Sequence, residues 1–370
     1  PTPDAIVRRW RGAGEVPRPA AAIGVTADGP LIVDLLVDGP HALLAGTTGS
    51  GKSELLRTLV GSLAATNSPD HLTFVLIDYK GGSAFDVCAD LPHTVGLVTD
   101  LDGHLATRAL TCLEAELRYR ERRLRAAAAS DLATYLAGDE PEPLPRLLVI
   151  IDEFAALAKE LPAFMTSLVD IAQRGRSLGV HLLLATQRPG GVISDNIRAN
   201  TNLRMALRVQ DGSDSTDVLG IPDAAAIGRT QPGRGFVRRG PGDVVPFQAA
   251  LVTMPRGGDA VPAGEVRPFV FGYEQPEPAG THPTEPGATD LGALVEAVAA
   301  ATTTLEIEAP RRPWPEPLGI DLTVEDLDVT PPDELNRARI AVPLGLADEP
   351  AHQRQRTAWW SSEDGNLLLY

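Results

Sequence analysis

The sequence predicts an α/β fold in which a mostly parallel central sheet is flanked by helices. Three continuous apolar runs, at residues 72–77, 147–151 and 182–185, have the pattern of strands that are buried on both faces of such a sheet. A fourth apolar run, residues 42–45, leads through a glycine-rich turn into a helical stretch. Strands that alternate with helices along the chain are typical of α/β domains.

The remaining elements follow from turn signals and from hydrophobic periodicity. The helix after Ser53 is expected to run to about residue 65, and residues 104–129 form the longest predicted helix, with leucines along one face. A shorter helix is expected at about residues 164–175. The other predicted strands are residues 23–25, 30–35, 41–45 and 203–209, with a hairpin formed by residues 232–237 and 247–252.

Changes in composition divide the chain into four parts. Residues 257–289 are rich in Gly, Pro, Glu and Thr, which is typical of a linker. The predicted parts are a leader (1–20), a main α/β domain (21–256), a linker region with a short helix near residues 291–301 (257–343), and the start of a second, truncated domain (344–370).

The prediction of a second domain rests on two short internal parallels. Residues 344–350 resemble residues 23–30, and residues 364–369 resemble residues 38–44, in the same order and with a similar separation. The next glycine-rich turn would then fall directly after Tyr370. We therefore expect the chain to be an excised part of a longer protein.

Composition and charge limit the possible functions. The 370 residues are 43% hydrophobic and 22% charged, as in a folded globular protein. The net charge of −16 argues against a broad basic surface for non-specific DNA binding, although a local basic lining remains compatible with it. No apolar run approaches the roughly 18 residues of a membrane helix, so no direct membrane insertion is expected here. The cysteines, Cys88 and Cys112, and the seven histidines show no metal-ligand spacing.

The glycine-rich turn reads GTTGSGKS and fits the phosphate-loop pattern G-x-x-x-x-G-K-[ST]. Its glycines permit backbone angles that turn successive N–H groups toward phosphate oxygens at a helix N-terminus. Lys52 supplies a positive charge for the β- and γ-phosphates, and the Ser53 hydroxyl is a ligand for Mg²⁺. The predicted nucleotide-binding residues are Gly46, Thr47, Thr48, Gly49, Ser50, Gly51, Lys52 and Ser53, and the predicted cofactors are ATP and Mg²⁺.

Two acidic residues end the apolar run 147–151 and complete a nucleotide-hydrolysis pattern. Asp152 is predicted to hold Mg²⁺ through its water shell, and Glu153 is predicted to polarise the water that attacks the γ-phosphate. Such a strand end is weak evidence alone, but downstream of a phosphate loop it indicates an ATPase.

Gln187 is the third predicted catalytic residue. The 182–185 strand delivers Thr186 and Gln187 to the same sheet edge, because ligands of parallel sheets bind at the carboxyl ends of the strands. Gln187 is predicted to orient the attacking water or to sense the γ-phosphate. The alternative is a polar strand end without a catalytic role.

Five segments together resemble the motor domain of the FtsK/SpoIIIE family of RecA-like P-loop ATPases, over about residues 20–255. These segments are residues 46–53, 77–82, 149–153, 175–181 and 185–189. Within the family, the KGGSAF stretch at residues 80–85 most resembles the EccC-type ATPases of type VII secretion, which carry several such motors in tandem. The resemblance implies a RecA-like fold and ATP hydrolysis coupled to translocation.

The resemblance also implies partners and a further site residue. Expected partners are other ATPase modules of the same chain, neighbouring subunits in a ring, and a secreted helical protein as substrate, with the module forming a cytoplasmic domain of a membrane-anchored parent. The family's trans-acting arginine lies in a segment that matches residues 116–121 here, so Arg120 is the candidate, with Arg118 and Arg122 as alternates.

Two other functions stay open at this point. A double-stranded DNA translocase of conjugation or chromosome segregation shares every ATPase motif, and DNA is a partner only in that alternative. Nothing here resembles the small DNA-reading winged-helix module of the DNA pumps. A regulatory module that binds ATP but hardly hydrolyses it is the third possibility, although intact Lys52, Ser53, Asp152 and Glu153 argue against it.

Overall fold

The computed structural model describes most of the chain, with gaps at the least regular segments. It describes residues 1–14, 17–79, 84–99, 103–138, 142–160, 162–240, 242–254, 289–313, 315, 318–319, 321–332, 335 and 340–367.

A ten-stranded sheet forms the centre of the described structure, in the strand order β2-β1-β10-β9-β8-β3-β7-β6-β4-β5. Its strands are β1 (Ala20–Thr26), β2 (Gly29–Asp34), β3 (His41–Ala45), β4 (Leu72–Asp78), β5 (Thr94–Thr99), β6 (Arg146–Asp152), β7 (Val180–Thr186), β8 (Leu203–Leu207), β9 (Arg234–Gly240) and β10 (Asp243–Ala249). A separate hairpin pairs β11 (Ala341–Glu349) with β12 (Arg354–Ser361).

The sheet has a parallel block and an antiparallel extension. The six strands from β8 to β5 run parallel, whereas β9, β10, β1 and β2 are joined antiparallel. Every residue of β3, β4, β6 and β7 is buried, as their continuous apolar sequences predict. The predicted α/β fold with a mostly parallel sheet is therefore confirmed.

Helices cover both faces of the sheet. They are α1 (Pro3–Arg11), α2 (Lys52–Thr66), α3 (Asp86–Ala89), α4 (Gly103–Ala126), α5 (Leu132–Leu136), α6 (Phe154–Glu160), α7 (Pro162–Leu178), α8 (Asp195–Asn200), α9 (Gly212–Leu219) and α10 (Asp290–Thr304). Because side chains alternate along a strand, Phe74 and Leu76 join the core under α2, whereas Val75 and Ile77 join the core under α4 and α7.

Helices from the regions predicted as leader and linker pack closely on the main domain, which their composition does not indicate. Ile6 and Trp10 of α1 are buried in the core that also contains Leu291 and Val298 of α10. A Cβ added to Gly61, in the middle of α2, would lie 3.1 Å from a Leu294 methyl, so this glycine allows α10 to approach α2 closely. The parts predicted as leader and linker thus each supply a helix to the core of the predicted 21–256 domain.

No sequence pattern predicted β5, the strand at one edge of the sheet. Gly96 interrupts its apolar run, and because β5 pairs only with β4, Val95 is the single buried residue of this strand whereas Leu97 and Thr99 are exposed. The position of the antiparallel extension beside β8 was also not predicted. Among the described residues, no helix combines the length and the hydrophobicity that crossing a membrane requires.

The buried histidines make the folding stability of the protein depend on pH. The ring of His93 stacks on Phe74 with centroids 5.5 Å apart, and its Nε2 bonds to the carbonyl of Asn67 at 2.7 Å. Burial lowers the pKa of His93 to about 4, and burial likewise lowers the pKa of His41 to about 4 and of His181 to about 3. Since the unfolded chain takes up these protons near pH 6.5, folding stability falls as the pH drops from about 6.5 toward 4.

His93→Gln tests this linkage, because glutamine can donate to Asn67 but does not titrate. We expect the difference in unfolding free energy between wild type and variant to shrink by about 2 kcal/mol between pH 7 and pH 5, as the wild type alone loses this contribution. Urea denaturation at the two pH values measures it. A difference that stays constant would contradict the assigned proton linkage.

Candidate nucleotide site

The predicted site residues meet at one edge of the sheet, where the parallel strands end. The phosphate loop follows β3, Asp152 ends β6, and Gln187 follows β7, which lies between β3 and β6. The register aligns Leu44 with Ala185 and Ile151 with Leu184, so these three strands end at nearly the same level. Parallel pairing therefore converts positions about 100 residues apart into one site.

Backbone hydrogen bonds hold the phosphate loop to two neighbouring strand ends. The Gly46 N–H donates to the Thr186 carbonyl at 3.1 Å, and the Thr47 N–H donates to the Arg208 carbonyl at 2.9 Å. Within the loop, the Ser50 N–H donates to the Thr47 carbonyl at 3.0 Å. These bonds anchor the loop to the ends of β7 and β8.

Two glycines of the loop have conformations that other residues rarely adopt. Gly49 has φ +72° and Gly51 has φ +96°. A Cβ on Gly51 would lie only 2.9 Å from the Gly233 nitrogen, which itself donates to the Ser50 carbonyl at 2.8 Å. Gly51 is also the N-cap of α2, and because it has no side chain, it leaves the N–H groups of the first turn to a ligand.

Lys52 and Asp152 form a buried ion pair at the centre of the site. The Lys52 ammonium contacts Asp152 Oδ1, and the two residues are 6% and 7% exposed. Asp152 Oδ1 also accepts the Glu153 N–H at 2.9 Å. The cation expected to bind phosphate and the carboxylate expected to hold Mg²⁺ thus neutralise each other here.

Glu153 occupies a strained backbone conformation beside Asp152. Its φ of +61° is unusual for a residue with a side chain and costs on the order of 1–3 kcal/mol, a type of strain that clusters at functional sites. The residue is 5% exposed, and its Oε1 accepts from the Thr186 hydroxyl and from the Gln187 N–H, both at 3.4 Å. The carboxylate of Glu153, the predicted catalytic residue, therefore contacts the end of β7.

Gln187 contacts the phosphate loop through its side chain. Its Oε1 accepts a hydrogen bond from the Thr48 hydroxyl at 3.0 Å. The structure thus joins the three predicted catalytic and loop positions, Glu153, Gln187 and Thr48, through direct contacts.

Two further residues belong to this edge and were not among the predicted site residues. Asp78 ends β4 directly opposite Asp152 in the register and is 4% exposed. The end of the 72–77 run in an acid was a signal that could have identified it. Arg208 follows β8, and its Nη2 donates to the Thr48 carbonyl at 3.0 Å. No local pattern distinguishes Arg208 from the other arginines of the sequence.

Arg120 is not available to a neighbouring subunit, so the first candidate for the trans arginine is wrong. It is 2% exposed, and its guanidinium donates to Glu116 at 2.8 Å and to the carbonyls of Leu178 and Pro145 at 3.0 and 2.7 Å. The reason is helical spacing, since Arg120 follows Glu116 by four residues on the buried face of α4. The alternates Arg118 and Arg122 are exposed.

A network of polar contacts completes the surroundings of Glu116. Arg311 contacts its carboxylate, and Gln353, between β11 and β12, donates to Oε2 at 3.0 Å. Burial alone would raise the pKa of Glu116, but Arg120 and Arg311 outweigh burial and hold this pKa below its ordinary value. Glu116 is therefore an ionised structural carboxylate at the contact between α4 and the C-terminal hairpin.

Most of the KGGSAF stretch lies outside the described residues, since residues 80–83 are among the gaps. Its last residues are described: Phe85 is 1% exposed, and the Ala84 carbonyl accepts from Arg57 Nε at 2.8 Å. Arg57 lies on α2, so the described end of the stretch is anchored to the helix that follows the phosphate loop.

The residues present fit a nucleotide with Mg²⁺. An uncapped helix start and a lysine offer charge and donors to phosphate, and the Ser53 hydroxyl and Asp152 offer hard oxygen ligands. The described residues contain no group of three or more His, Cys, Asp or Glu side chains arranged to hold a metal ion alone. Mg²⁺ in nucleotide sites usually takes one or two protein oxygens and completes its shell with phosphates and water.

Comparisons with known proteins agree with this geometry. Residues 13–191 match the model of the FtsK/SpoIIIE family. The chain is 39% identical over 371 residues to the type VII secretion system protein EssC of Staphylococcus aureus, covering 95% of this chain and 25% of EssC. The chain thus spans a quarter of that relative's length.

Two solved structures resemble this one to different degrees. The cytoplasmic domain of the type VII secretion ATPase EccC of Thermomonospora curvata matches with a TM-score of 0.79 and 32% identity, over 96% of this chain and 40% of that chain. The pCW3 conjugation coupling protein TcpA, solved with ATPγS, matches with a TM-score of 0.55 and 27% identity, over 63% of this chain and 66% of that one.

Arg120→Ala tests the structural role of this arginine. Removing one partner of a buried ion pair should lower the unfolding free energy by about 3–5 kcal/mol, measured by urea denaturation. Arg118→Ala is the matched control, because the Arg118 side chain is 47% exposed and lies 3.9 Å from Glu114, and its loss should change stability by less than about 1 kcal/mol. Unchanged stability with lost ATP turnover in Arg120→Ala would restore it as a trans arginine.

Proposed function

Because the chain carries a domain of the FtsK/SpoIIIE family, we propose that it is an ATP-hydrolysing motor module that powers protein export by a type VII secretion system. The observation that carries the ATPase part is the meeting of Lys52, Asp152 and Glu153 at one buried sheet edge. The secretion part is supported by 39% identity to EssC across 95% of the chain.

The proposed mechanism assigns one task to each residue of the site. Lys52 and the loop amides bind the β- and γ-phosphates, and Lys52 exchanges its partner Asp152 for phosphate oxygens when the nucleotide enters. Ser53 and Asp152 hold Mg²⁺, which neutralises phosphate charge when bound. Glu153 polarises the attacking water, and Gln187 orients that water or senses the γ-phosphate.

The proposed partners follow from the relatives. We infer that the module works beside other ATPase modules of its own chain and of neighbouring subunits in a ring, as a cytoplasmic part of a membrane-anchored parent, and that a secreted helical protein is its substrate. The trans arginine of such a ring is then one of the exposed residues of α4, with Arg118 and Arg122 as candidates.

A DNA translocase is the alternative. The likeness to the conjugation coupling protein TcpA favours it, but that match covers 63% of the chain with a TM-score of 0.55, against 96% and 0.79 for EccC. The net charge of −16 also disfavours a DNA-binding surface.

The C-terminal hairpin supports the proposal that residues 344–370 begin a second module. The pairing of β1 with β2 shifts between Ala22 and Gly24, and the pairing of β11 with β12 shifts at the equivalent point, between Pro343 and Gly345. A β-bulge therefore lies at matched positions in the two hairpins, so the similarity between the two sequence segments is also present in their backbones. Ile23 is 0% exposed within the ten-stranded sheet, whereas the matching Leu344 is 46% exposed in the two-stranded hairpin. This exposure is expected if the hairpin is the first part of a larger sheet in a second module.

The tandem proposal predicts a second phosphate loop in the parent protein. Residues 368–370 lie outside the described part, but in the sequence they match the end of β3. A G-x-x-x-x-G-K-[ST] motif should therefore begin within a few residues after Tyr370. Sequencing the parent gene beyond this point checks it, and a continuation without that motif would contradict the tandem arrangement.

Glu153→Gln tests hydrolysis by this site. The variant should lose turnover by about 100-fold or more, since general-base contributions are of that size, while retaining ATP affinity. Steady-state phosphate release and binding of a fluorescent ATP analogue measure the two effects. Wild-type release at the background rate, unchanged in the variant, would instead indicate a module that binds ATP without hydrolysing it.

The same phosphate-release assay separates the two translocation substrates. For an export motor, turnover should not respond to long double-stranded DNA. The assay is run at low salt because contacts with DNA phosphates are strongest there, so an effect of DNA would be detected. Marked stimulation that fades as salt is added would favour the DNA translocase. Stimulation by a secreted helical protein of the same secretion system would support the export motor.

A further inference from the structure

Thr48, at the tip of the phosphate loop, contacts two neighbouring strand ends at once. Its hydroxyl donates to Gln187 Oε1 at 3.0 Å, and its carbonyl accepts from Arg208 Nη2 at 3.0 Å. Gln187 follows β7 and Arg208 follows β8, the two strands on which the loop also rests through its backbone. Thr48 is itself exposed, so neither contact is explained by a need to bury the residue.

The Thr48 hydroxyl contacts the oxygen end of the Gln187 amide. A glutamine amide has an acceptor oxygen and an NH₂ group with two donors. Because the oxygen accepts from the Thr48 hydroxyl, the NH₂ donors are at the end of the amide that does not touch Thr48. Donors rather than an acceptor are what a γ-phosphate oxygen requires.

The backbone of Gln187 contacts the carboxylate of Glu153, the predicted catalytic residue. Its N–H donates to Glu153 Oε1 at 3.4 Å, and the Thr186 hydroxyl approaches the same oxygen at 3.4 Å. A continuous set of contacts therefore runs from Arg208 through Thr48 and Gln187 to Glu153. The loop that holds phosphate and the residue that handles water are connected through Thr48.

We propose that Thr48 is a positioning residue for ATP hydrolysis, whose hydroxyl orients the Gln187 amide toward the γ-phosphate while Arg208 fixes the Thr48 backbone. This role rests on the proposed ATPase function and deepens it. A hydroxyl that only touches solvent, and a hydroxyl that binds phosphate directly, are the competing roles for Thr48.

Two substitutions separate the hydroxyl from the shape of the side chain. Thr48→Val keeps the branched shape and removes the donor, whereas Thr48→Ser keeps the donor and removes a methyl group. We expect Thr48→Val to lower kcat about 5–10-fold, with the KM and the Kd of a fluorescent ATP analogue within about twofold of wild type. Thr48→Ser should retain at least about half of the wild-type kcat.

A double-mutant cycle with Gln187→Ala shows whether Thr48 acts through Gln187. If it does, adding Thr48→Val to Gln187→Ala should lower kcat no further, because the amide that Thr48 orients is already gone. All five chains are measured by steady-state phosphate release under the same conditions.

Several results would overturn the proposal. Multiplied losses in the double variant would show that Thr48 acts without Gln187, and a raised Kd in Thr48→Val would show direct phosphate binding. Equal losses in the Ser and Val variants would show that shape, not the hydroxyl, matters, and a fully active Thr48→Val would show a solvated hydroxyl. A wild-type chain without measurable turnover would overturn the ATPase function itself, which is a different outcome from altered ratios among variants.

Discussion

The buried ion pair of Lys52 and Asp152 depends on the parallel register of the sheet. Lys52 begins α2 after β3, and Asp152 ends β6, with β7 between the two strands. Were one strand to slip by a residue, each side chain on it would turn to the opposite face, and the two charges would no longer meet. The ions are also costly to bury, so the site is held in place by the sheet rather than by the attraction of its charges.

The same register explains why so many site residues carry backbone or geometric constraints. The phosphate loop rests on the carbonyls of Thr186 and Arg208, and Glu153 adopts φ +61° directly after its strand. These conformations persist because the strands beside them are buried on both faces, and their packing fixes the positions of the adjoining backbone. Strain at Glu153 and the positive φ of Gly51 are thus supported by the large apolar core on either side of the sheet.

Contacts at a distance from the nucleotide site connect it to the rest of the chain. The helix α2 that follows the phosphate loop packs against α1 and α10, and the Trp10 indole donates to the Ala64 carbonyl at 3.2 Å. On the other face, α4 holds the C-terminal hairpin through the Arg108–Asp348 ion pair at 2.6 Å and through Glu116. One face of the domain is therefore covered by helices from the predicted leader and linker, and the other contacts the hairpin assigned to the start of a second domain.

Sequence alone determined the elements and chemistry that depend on local pattern. Continuous apolar runs identified the buried strands, and the phosphate loop, Asp152, Glu153 and Gln187 were found because their residue types and spacings are short-range features. Tertiary structure decided the rest: that α10 packs on α2, that β5 closes one edge of the sheet, that Arg208 reaches Thr48, and that Arg120 is buried against Glu116 rather than exposed. Each of these depends on contacts between residues far apart in the chain, and a charged residue on a helix is assigned to solvent until the elements packed beside it are known.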